Sequence, residues 1–246
     1  MSKILRFKEI DSTNKYGIEN FDTLSDRLLI IADSQRAGRG RMQKNWFSPP
    51  GINLYASFII KYPKFDISIS SWIGGLAALD VARELLPGNK DLWIKWPNDI
   101  YCRERKLAGV LCETVSDTHN NIRGVVIGIG ININMAKEQL DSIDRPATSI
   151  FNETGKVSDI AAAYEMLLKQ IQIFTEKAEQ SQERLYMSWK EENRIIGRKV
   201  NVDILGKTLL DAKVIDIKRS GCLYVIDENG GFHELYSGDV SIKAFE

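Results

Sequence analysis

Short runs of alternating or continuous hydrophobic residues fill much of the first 135 positions of the chain. Alternation of apolar and polar residues is typical of a half-buried strand, and short apolar runs bounded by turn residues are typical of buried strands. These patterns predict a β-rich core whose strands are separated by turns. In chain order the runs are ILRFKEI, RLLIIAD, NLYASFIIKY, DLWIKW, DIYC, KLAGVLCETVS and IRGVVIGIGININM.

Four segments carry the signals of helices. A first helix is expected after DSTN at 11–14, where Ser12 or Thr13 is placed to cap it. The segment SISSWIGGLAALDVARELLPG predicts a second helix, capped by serine and stopped by Pro-Gly. A third, amphipathic helix is expected from Ser158 onward, and a fourth spans 183–193. The apolar residues of the third helix recur at helical spacing, at Ile160, Tyr164, Leu167, Leu168, Ile171 and Phe174.

After Asn193 the hydrophobic period changes to two, which is the period of strands. The runs here are KVNVDIL, LLDAKVIDIK, CLYVID and FHELY, with turn residues between them. This change predicts a boundary that divides the chain into a region 1–193 and a small all-β region 194–246. The second region has about 50 residues, close to the smallest size that can bury a core alone.

Composition restricts the classes of function. The 33 basic and 33 acidic residues give a net charge of zero, which argues against a general polyanion binder such as a nucleic-acid-binding protein. Charged residues interrupt the N-terminal segment, so we expect no signal peptide, and the longest apolar run, VVIGIGI, is too short to cross a bilayer. Three cysteines without metal-ligand spacing predict reduced core residues in a cytoplasmic protein.

A basic loop is the strongest charge feature of this neutral chain. In SQRAGRGRMQKNWFSPPGIN the cations Arg36, Arg39, Arg41 and Lys44 occur before Trp46 without any acidic residue. Two glycines and a Pro-Pro-Gly run make this segment a poor helix and a poor strand, so it is expected to be a mobile loop. Such a cluster of cations can bind nucleic acid, a carrier protein or a phosphorylated small molecule.

Several familiar chemistries are poorly supported. The sequence LGKT resembles the end of a phosphate-binding P-loop, but the glycine that this motif needs is replaced by Asn201. The stretches GRGRMQ and GIGINI begin like dinucleotide-binding fingerprints and lack the final glycine. The two histidines, His119 and His233, belong to no ligand-spaced cluster, which argues against a Ser-His-Asp hydrolase and a histidine-based metal site.

Four polar stretches interrupt the β-rich core at the ends of predicted strands. They are DSTN at 11–14, the basic loop, KWPND to RKLAG at 95–109, and GIGININ at 128–134. Each has an ordinary structural interpretation, as a helix cap, a turn or a relief of crowding in the sheet. Polar residues at strand ends that meet in one cleft nevertheless form a typical small-molecule site.

Two features of these stretches suit a ligand with more than one anionic group. Gly128 and Gly130 fall on the same face of a strand and clear it of side chains, so a ligand could lie against the backbone. The cations of the basic loop, with Lys95 and Lys106, could neutralise a phosphate and a carboxylate that are brought together. Two anions that must react repel each other, so such a site needs cations on either side.

The four stretches, in this order and approximate spacing, resemble the motifs of biotin–protein ligases. The resemblance covers most of residues 5–135, and the β-rich tail is similar to the small C-terminal barrel of that family. It implies an α+β fold, with a mixed β-sheet and helices packed on it as in class II aminoacyl-tRNA synthetases, plus a small C-terminal β-barrel. The chain looks like the short form of the family, without an N-terminal DNA-binding domain.

The resemblance also implies a reaction. Biotin and ATP would be the substrates, biotinyl-5'-AMP and pyrophosphate the first products, and a lysine of a biotin carboxyl carrier domain the final acceptor. Mg²⁺ would be held mainly by the ATP phosphates, without a preformed metal site on the protein. The expected enzyme is cytoplasmic, a monomer or homodimer, and binds neither nucleic acid nor membrane.

Residue by residue, the resemblance assigns roles to the motif positions. The expected catalytic residues are Lys106, Arg41 and Asp99. The expected biotin-binding residues are Ser12, Thr13, Asn14, Gln35, Arg39, Gly40, Arg41, Lys106 and Gly109. The expected ATP-binding residues are Arg39, Arg41, Trp46, Asn53, Lys95, Asn98 and Asn132. The chain departs from the family pattern at Gln43-Lys44, where many members have Gly-Arg.

Two alternatives remain at this point. One is a lipoyl- or octanoyl-protein ligase on the same fold, and the other is a non-catalytic sensor of biotin or a nucleotide. The GRGR loop and the KWPND stretch favour the biotin ligase. Biotin-dependent release of pyrophosphate from ATP would separate an enzyme from a sensor.

Overall fold

The strands of the computed structural model, which describes residues 3–204, 207–236 and 239–242, form two sheets. The larger sheet has seven strands in the order β1-β2-β3-β7-β6-β5-β4. Only the β1–β2 pair is parallel, so the predicted mixed sheet is confirmed. The strands are β1 (Ile4–Ile10), β2 (Leu29–Gln35), β3 (Leu54–Lys61), β4 (Leu92–Lys95), β5 (Asp99–Cys102), β6 (Arg105–Ser116) and β7 (Ile122–Ile131).

Six helices accompany the sheets in the described part of the chain. They are α1 (Thr13–Glu19), α2 (Ser70–Leu85), α3 (Lys137–Leu140), α4 (Ile150–Thr154), α5 (Ile160–Gln180) and α6 (Gln182–Glu191). The four predicted helices are confirmed, with Ser12 as the cap of α1. The short α3 and α4 were not predicted, because four or five residues are too few to display a helical period.

Two predicted helix starts need correction. The N-cap of α2 is Ile69, which makes no side-chain cap, and Asp66 caps the short 3-10 turn that leads into the helix. The cap of α5 is Asp159, whose carboxylate accepts hydrogen bonds from the backbone N–H of Ala161 and Ala162. The helix α5 thus begins at Ile160, two residues after the expected start at Ser158.

Helices α2 and α5 cover one face of the large sheet. The apolar stripe of α5 is buried as predicted, with Leu167 and Ile171 fully inaccessible. A side chain on Gly74 of α2 would come within 2.7 Å of Val110 and 2.8 Å of Ile127, so this glycine lets the helix lie close to β6 and β7. The opposite face carries α1 and remains open beside it.

The smaller sheet is antiparallel, with its strands in the order β11-β10-β9-β8-β12. Its strands are β8 (Lys199–Ile204), β9 (Lys207–Ile217), β10 (Leu223–Asp227), β11 (Phe232–Leu235) and β12 (Asp239–Ile242). Four of the strands follow the predicted runs, although Leu205 of the first run lies outside the described residues, and β12 was not predicted. The closure of this sheet into a barrel stays a prediction.

Specific contacts attach the small sheet to the rest of the molecule. The indole Nε1 of Trp96 donates to the carbonyl of Gly221 at 2.8 Å, and the hydroxyl of Tyr186 donates to the carbonyl of Ile217 at 2.6 Å. Buried residues of the small sheet, such as Val200 and Val225, belong to the same hydrophobic cluster as α2 and α5. The division of the chain into domains at Asn193 stays a prediction. None of the described helices has the length and apolar character needed to cross a membrane.

Candidate active site

A cavity of about 730 Å³ opens on the face of the large sheet that carries α1. Its wall combines the start of α1, the basic loop, the turn between β4 and β5, strands β6 and β7, and part of the segment 142–147. The structure therefore brings all four predicted stretches to one place. The predicted site residues that line the cavity are Ser12, Thr13, Asn14, Gln35, Arg39, Gly40, Arg41, Trp46, Asn98, Asp99, Lys106, Gly109 and Asn132.

Glycines form the floor of the cavity. In the ladder Gly130 of β7 pairs with Gly109 of β6, and Gly128 lies one pleat further along the same face. A Cβ on Gly130 would lie 2.4 Å from Trp46, and a Cβ on Gly128 would lie 2.2 Å from the Asn14 Oδ1. The predicted clearance is therefore present, and it lets the Trp46 indole and the Asn14 amide lie directly on the sheet.

A buried network of hydroxyl and amide groups forms one end of the cavity. Gln35 Oε1 accepts from the backbone N–H of Thr13 at 2.9 Å and from its Oγ1 at 3.2 Å. Ser57 Oγ lies 2.8 Å from Thr13 Oγ1 and 2.5 Å from Asn14 Oδ1. Ser12, Thr13 and Asn14 are at most 4% exposed, and Ser57 is fully buried. Buried polar groups are costly unless they are paired, so this network holds each side chain in one orientation.

The cations of the basic loop have partners on the rest of the protein. Arg39 lies 2.7 Å from Glu113, and Arg41 donates from Nη1 to Asn98 Oδ1 at 3.0 Å. Arg36 is not part of the cavity wall, because it pairs with Asp11 at 2.7 Å and holds the pKa of that carboxyl below its usual value. These three arginines are therefore all paired within the protein.

The backbone of the basic loop is tightly folded. The N–H of Gly40 donates to Lys44 at 2.7 Å, and the N–H of Trp46 donates to Gly38 at 2.9 Å. Gln43 has a φ of 59°, in the left-handed region that costs a residue other than glycine roughly 1–2 kcal/mol. The family pattern implied by the resemblance has glycine at this position, so Gln43 carries a backbone strain that glycine would avoid.

Lys106 is held at the centre of the cavity wall. Its Nζ lies 2.7 Å from Asp99 and 5.4 Å from the centre of the Trp46 ring, and its side chain is 15% exposed. Its backbone bonds to the segment 142–147 and the residue after it, through the carbonyl of Pro146 and the N–H of Thr148. An ammonium between a carboxylate and an indole face is restricted in position, and Lys106 lies in the wall of the cavity that a ligand would fill.

Three asparagines of the predicted set differ in placement. Asn98 binds Arg41 with its oxygen and donates from Nδ2 to the carbonyl of Val110. Asn132 lines the cavity and donates to the carbonyl of Thr148 at 3.0 Å. Asn53 lies outside the cavity wall, where its Oδ1 accepts from the backbone N–H of Ile133 at 2.8 Å.

Lys95 also lies outside the cavity wall. Its Nζ is 3.2 Å from the hydroxyl of Tyr101 and 4.9 Å from the centre of that ring. The ammonium is therefore directed to a neighbouring side chain of the sheet. Position in a motif did not distinguish this lysine from Lys106, because the two differ in the partners that the fold supplies.

Sequence reasoning missed two parts of the site. Glu113 and Ser57 orient predicted residues, and the segment 142–147 contributes Ser142, Ile143, Asp144, Arg145 and Ala147 to the wall. The alternation of β6 was a usable signal for Glu113, which lies on the face of Gly109 and Leu111. The segment 142–147 lies between predicted elements and carries no motif that could have identified it.

The chain matches known proteins over most of its length. A model of the biotin/lipoate A/B protein ligase family matches residues 6–132. The bifunctional ligase/repressor BirA of Escherichia coli is 33% identical over 241 residues, which is 96% of this chain and 73% of that protein. The biotin–[acetyl-CoA-carboxylase] ligase of Mycobacterium tuberculosis is 26% identical over 246 residues, which is 95% of this chain and 89% of that protein.

A solved structure supports the same relationship. The biotin protein ligase from Aquifex aeolicus in complex with biotin and ATP has a TM-score of 0.80 and 28% sequence identity, and the match covers 99% of both chains. The similarity therefore extends over both sheets, beyond the region that the family model matches.

Proposed function

Because this chain belongs to the biotin/lipoate A/B protein ligase family, we propose that it is an ATP-dependent biotin–protein ligase. The observation that carries the proposal is the composition of one cavity. A buried amide and hydroxyl network lies at one end, two arginines lie in the loop that covers it, and the ammonium of Lys106 lies in the wall. The complex of the Aquifex aeolicus enzyme with biotin and ATP supports the same pair of ligands here.

In the first half-reaction a carboxylate oxygen of biotin attacks the α-phosphorus of ATP. The bond from that phosphorus to the bridging oxygen breaks, and pyrophosphate leaves with the electron pair. Ser12, Thr13, Asn14 and Gln35 would bind the polar ring of biotin through the buried network, which is already oriented. Lys106 would stabilise the charge that builds up where the carboxylate meets the phosphate.

The nucleotide would occupy the other part of the cavity. Arg39 and Arg41, which the resemblance assigns to both biotin and ATP, carry several N–H donors that suit a carboxylate as well as phosphate oxygens. Trp46 would cover the adenine, and Asn98 and Asn132 would lie at the nucleotide end. Asn53 and Lys95 lie outside the cavity wall, so we assign them no contact with the ligand.

In the second half-reaction the amine of an acceptor lysine attacks the acyl carbon of the adenylate. The bond to the phosphate oxygen breaks, AMP leaves, and the amine loses a proton. The named relatives support a biotin carboxyl carrier protein of acetyl-CoA carboxylase as the acceptor. The three free cysteines, two of them buried, support a reducing compartment such as the cytoplasm.

The proposal is tested by measuring pyrophosphate release from ATP with biotin, lipoate or octanoate, followed by transfer to a purified carrier domain. We expect release with biotin alone among the three acids, and biotin attached to the carrier lysine. Release with lipoate or octanoate in place of biotin would favour the rival ligase. Binding of biotin without any pyrophosphate would favour a sensor.

Mg²⁺ is expected to reach the site with ATP. Among the described residues no group of three His, Cys, Asp or Glu side chains could hold a metal ion, and Asp99 is already paired with Lys106. Bound to the triphosphate, the ion would neutralise part of its charge. Adenylation is therefore expected to stop in excess chelator and to return when Mg²⁺ is added. Full activity in excess chelator would contradict this dependence.

Asp99 is a candidate for the proton acceptor of the second half-reaction. Its Oδ1 lies 2.7 Å from Lys106 Nζ, within the cavity wall. Asp99→Asn is expected to slow transfer from preformed adenylate by about 10², the smaller end of typical general-base effects, and to slow adenylation less. Single-turnover assays of the two steps measure this, with Asp216→Asn as a control because Asp216 pairs with Lys190 at 2.6 Å. Equal slowing of both steps would discard the base role.

A further inference from the structure

Glu113 connects the basic loop to the start of α1. Its Oε2 accepts from Arg39 Nη2 at 2.7 Å and from Asn14 Nδ2 at 2.9 Å. One carboxylate oxygen thus binds a cation of the loop and an amide of the buried network at the same time. Neither the sequence motifs nor the proposed mechanism gives this residue a role.

The support for this contact is rigid. Glu113 lies inside β6, paired with Val126 of β7, and it follows Gly109 and Leu111 on the face of the sheet that forms the cavity. Strand positions in the middle of a sheet hold a side chain more accurately than a loop does. Arg39, by contrast, lies in a loop and has no strand or helix of its own to fix it.

The contact also decides how Asn14 is oriented. Asn14 Nδ2 donates to Glu113 and to the carbonyl of Leu111 at 3.0 Å, so its amide oxygen must face the opposite side. There the oxygen meets Ser57 Oγ and lies against Gly128. Without an acceptor at Glu113, one of the two N–H donors of Asn14 would lose its partner, and only the carbonyl of Leu111 and the hydroxyl of Ser57 would hold the amide.

On the basis of the proposed function, we infer that Glu113 is a positioning residue for biotin binding. It fixes Arg39 and Asn14 in the orientations that receive biotin, before the ligand arrives. Preorganised groups bind a ligand more tightly because less ordering remains to be done on binding. Glu113 touches neither ligand nor reacting atoms in this role.

The test measures biotin affinity by calorimetry without ATP, and the KM and kcat of adenylation. Glu113→Ala is expected to weaken biotin binding and to raise the KM for biotin, each about tenfold. A change of this size is typical when a hydrogen bond to a charged group is lost. Because the lost interaction acts on binding, kcat at saturating biotin is expected to stay within about twofold of wild type. Glu113→Gln keeps the shape and one acceptor oxygen, so its effect is expected to be about threefold.

A matched control separates positioning from the loss of any ion pair. Asp33 pairs with Arg6 at 2.8 Å, its side chain is 29% exposed against 26% for Glu113, and it lies outside the cavity wall. Asp33→Asn is expected to leave biotin affinity unchanged. An equal loss of affinity in this control would show a general charge effect and overturn the inference.

A double-mutant cycle tests the connection to Arg39. If Glu113 acts through Arg39, then Glu113→Ala is expected to cost less affinity in an Arg39→Ala background than in wild type. Additive effects, or wild-type affinity in both Glu113 variants, would overturn the inference. A wild-type protein that neither binds biotin nor releases pyrophosphate would instead overturn the proposed function, so the two failures are distinct.

Discussion

The two sheets of this protein bury different kinds of side chain. Around the large sheet, the buried polar residues Asn14 and Asn98 line the cavity, and they bind other buried polar groups such as Ser57 or the backbone. In the small sheet, the buried residues among those whose burial is described are all apolar: Val200, Val202, Ala212, Val214, Ile217, Cys222, Leu223 and Val225. Burying polar groups is costly, so a fold concentrates them where a ligand uses them. The difference between the two sheets therefore identifies the large sheet, which carries the cavity, as the part of the molecule that binds the ligand.

Two lysines allow the sharpest test of this contrast. Lys106 pairs with Asp99 in the cavity, and Lys190 pairs with Asp216 of the small sheet at 2.6 Å and lies 5.6 Å from the ring of Tyr186. Lys106→Ala is expected to lower the single-turnover rate of pyrophosphate release by about 10²–10³, as for the loss of one preorganised electrostatic group.

Lys190→Ala removes an ion pair whose distance of 2.6 Å is close to the 2.7 Å of the Lys106–Asp99 pair, and this ion pair lies outside the cavity wall. It is expected to leave the rate unchanged and to lower the free energy of unfolding by about 1 kcal/mol or less. A Lys106 variant within a few-fold of wild type would show that the cavity lysine does not act on the reaction. Equal rate losses in both variants would remove the functional distinction between the two sheets.

The basic loop offers a second test, of intermediate size. Arg41→Gly is expected to allow adenylate formation but to retain the product poorly, because the guanidinium beside Asn98 is lost. Escaped adenylate acylates any exposed lysine, so the amount of biotin attached to albumin is expected to rise about tenfold. This factor is typical for the loss of a hydrogen bond to a charged group.

The control for the loop is Arg36→Gly, which removes an arginine from the same loop. Arg36 pairs with Asp11 outside the cavity wall, so albumin labelling is expected to stay at the wild-type level. If Arg41→Gly forms adenylate yet labels albumin no more than this control, the loop does not retain the product.

The smallest expected effect on activity concerns the buried hydroxyl of Tyr164, a residue that lies outside the cavity wall. The hydroxyl of Tyr164 donates to the carbonyl of Ala32 at 2.9 Å and accepts from the N–H of Tyr55 at 3.3 Å. Tyr164→Phe is expected to lower the free energy of unfolding by about 1–3 kcal/mol and to leave kcat unchanged. The exposed Tyr236 of the small sheet is the control, and Tyr236→Phe is expected to change stability by less than about 0.5 kcal/mol.

The pH dependence of this effect has a definite sign. Burial raises the pKa of Tyr164 from 10.0 to about 12, so the folded protein holds this proton more tightly than the unfolded chain does. Its contribution to stability is complete below pH 10 and is lost as the pH rises toward 12. Urea unfolding of wild type and Tyr164→Phe at neutral and at high pH is expected to show a smaller difference at high pH. A constant difference would contradict the raised pKa.

Local patterns were sufficient to predict most of the fold. The strands of the large sheet and the buried stripe of α5 follow from periods of 2 and 3.6, which the chain shows clearly over those segments. The helices α3 and α4 are only four or five residues long, too short for a helical period to be read, whereas the four residues of β12 alternate polar and apolar and were still not predicted as a strand. The predicted serine cap of α2 is absent for a different reason: Asp66 caps the 3-10 turn that leads into this helix.

Thirteen of the residues predicted from motifs line the cavity wall, whereas the motifs did not predict the partners of these residues. Arg39 meets Glu113 across 74 positions of the chain, and Arg41 meets Asn98 across 57. Residues so far apart in the chain share no local sequence signal, so the sequence did not predict these two pairs. Asn53, a motif position predicted to bind ATP, lies outside the cavity wall, where its Oδ1 accepts from the backbone N–H of Ile133.

The bond between Trp96 and Gly221 has a consequence for the order in which the enzyme is made. The two residues are 125 positions apart, and Asn98, which holds Arg41, follows Trp96 by two positions. At a synthesis rate of about 5–20 residues per second, Gly221 leaves the ribosome about 6–25 s after Trp96. Once Ala147 has been made, within that interval, the nascent chain carries all the residues that line the cavity wall, while the turn that holds Arg41 still lacks its anchor on the small sheet.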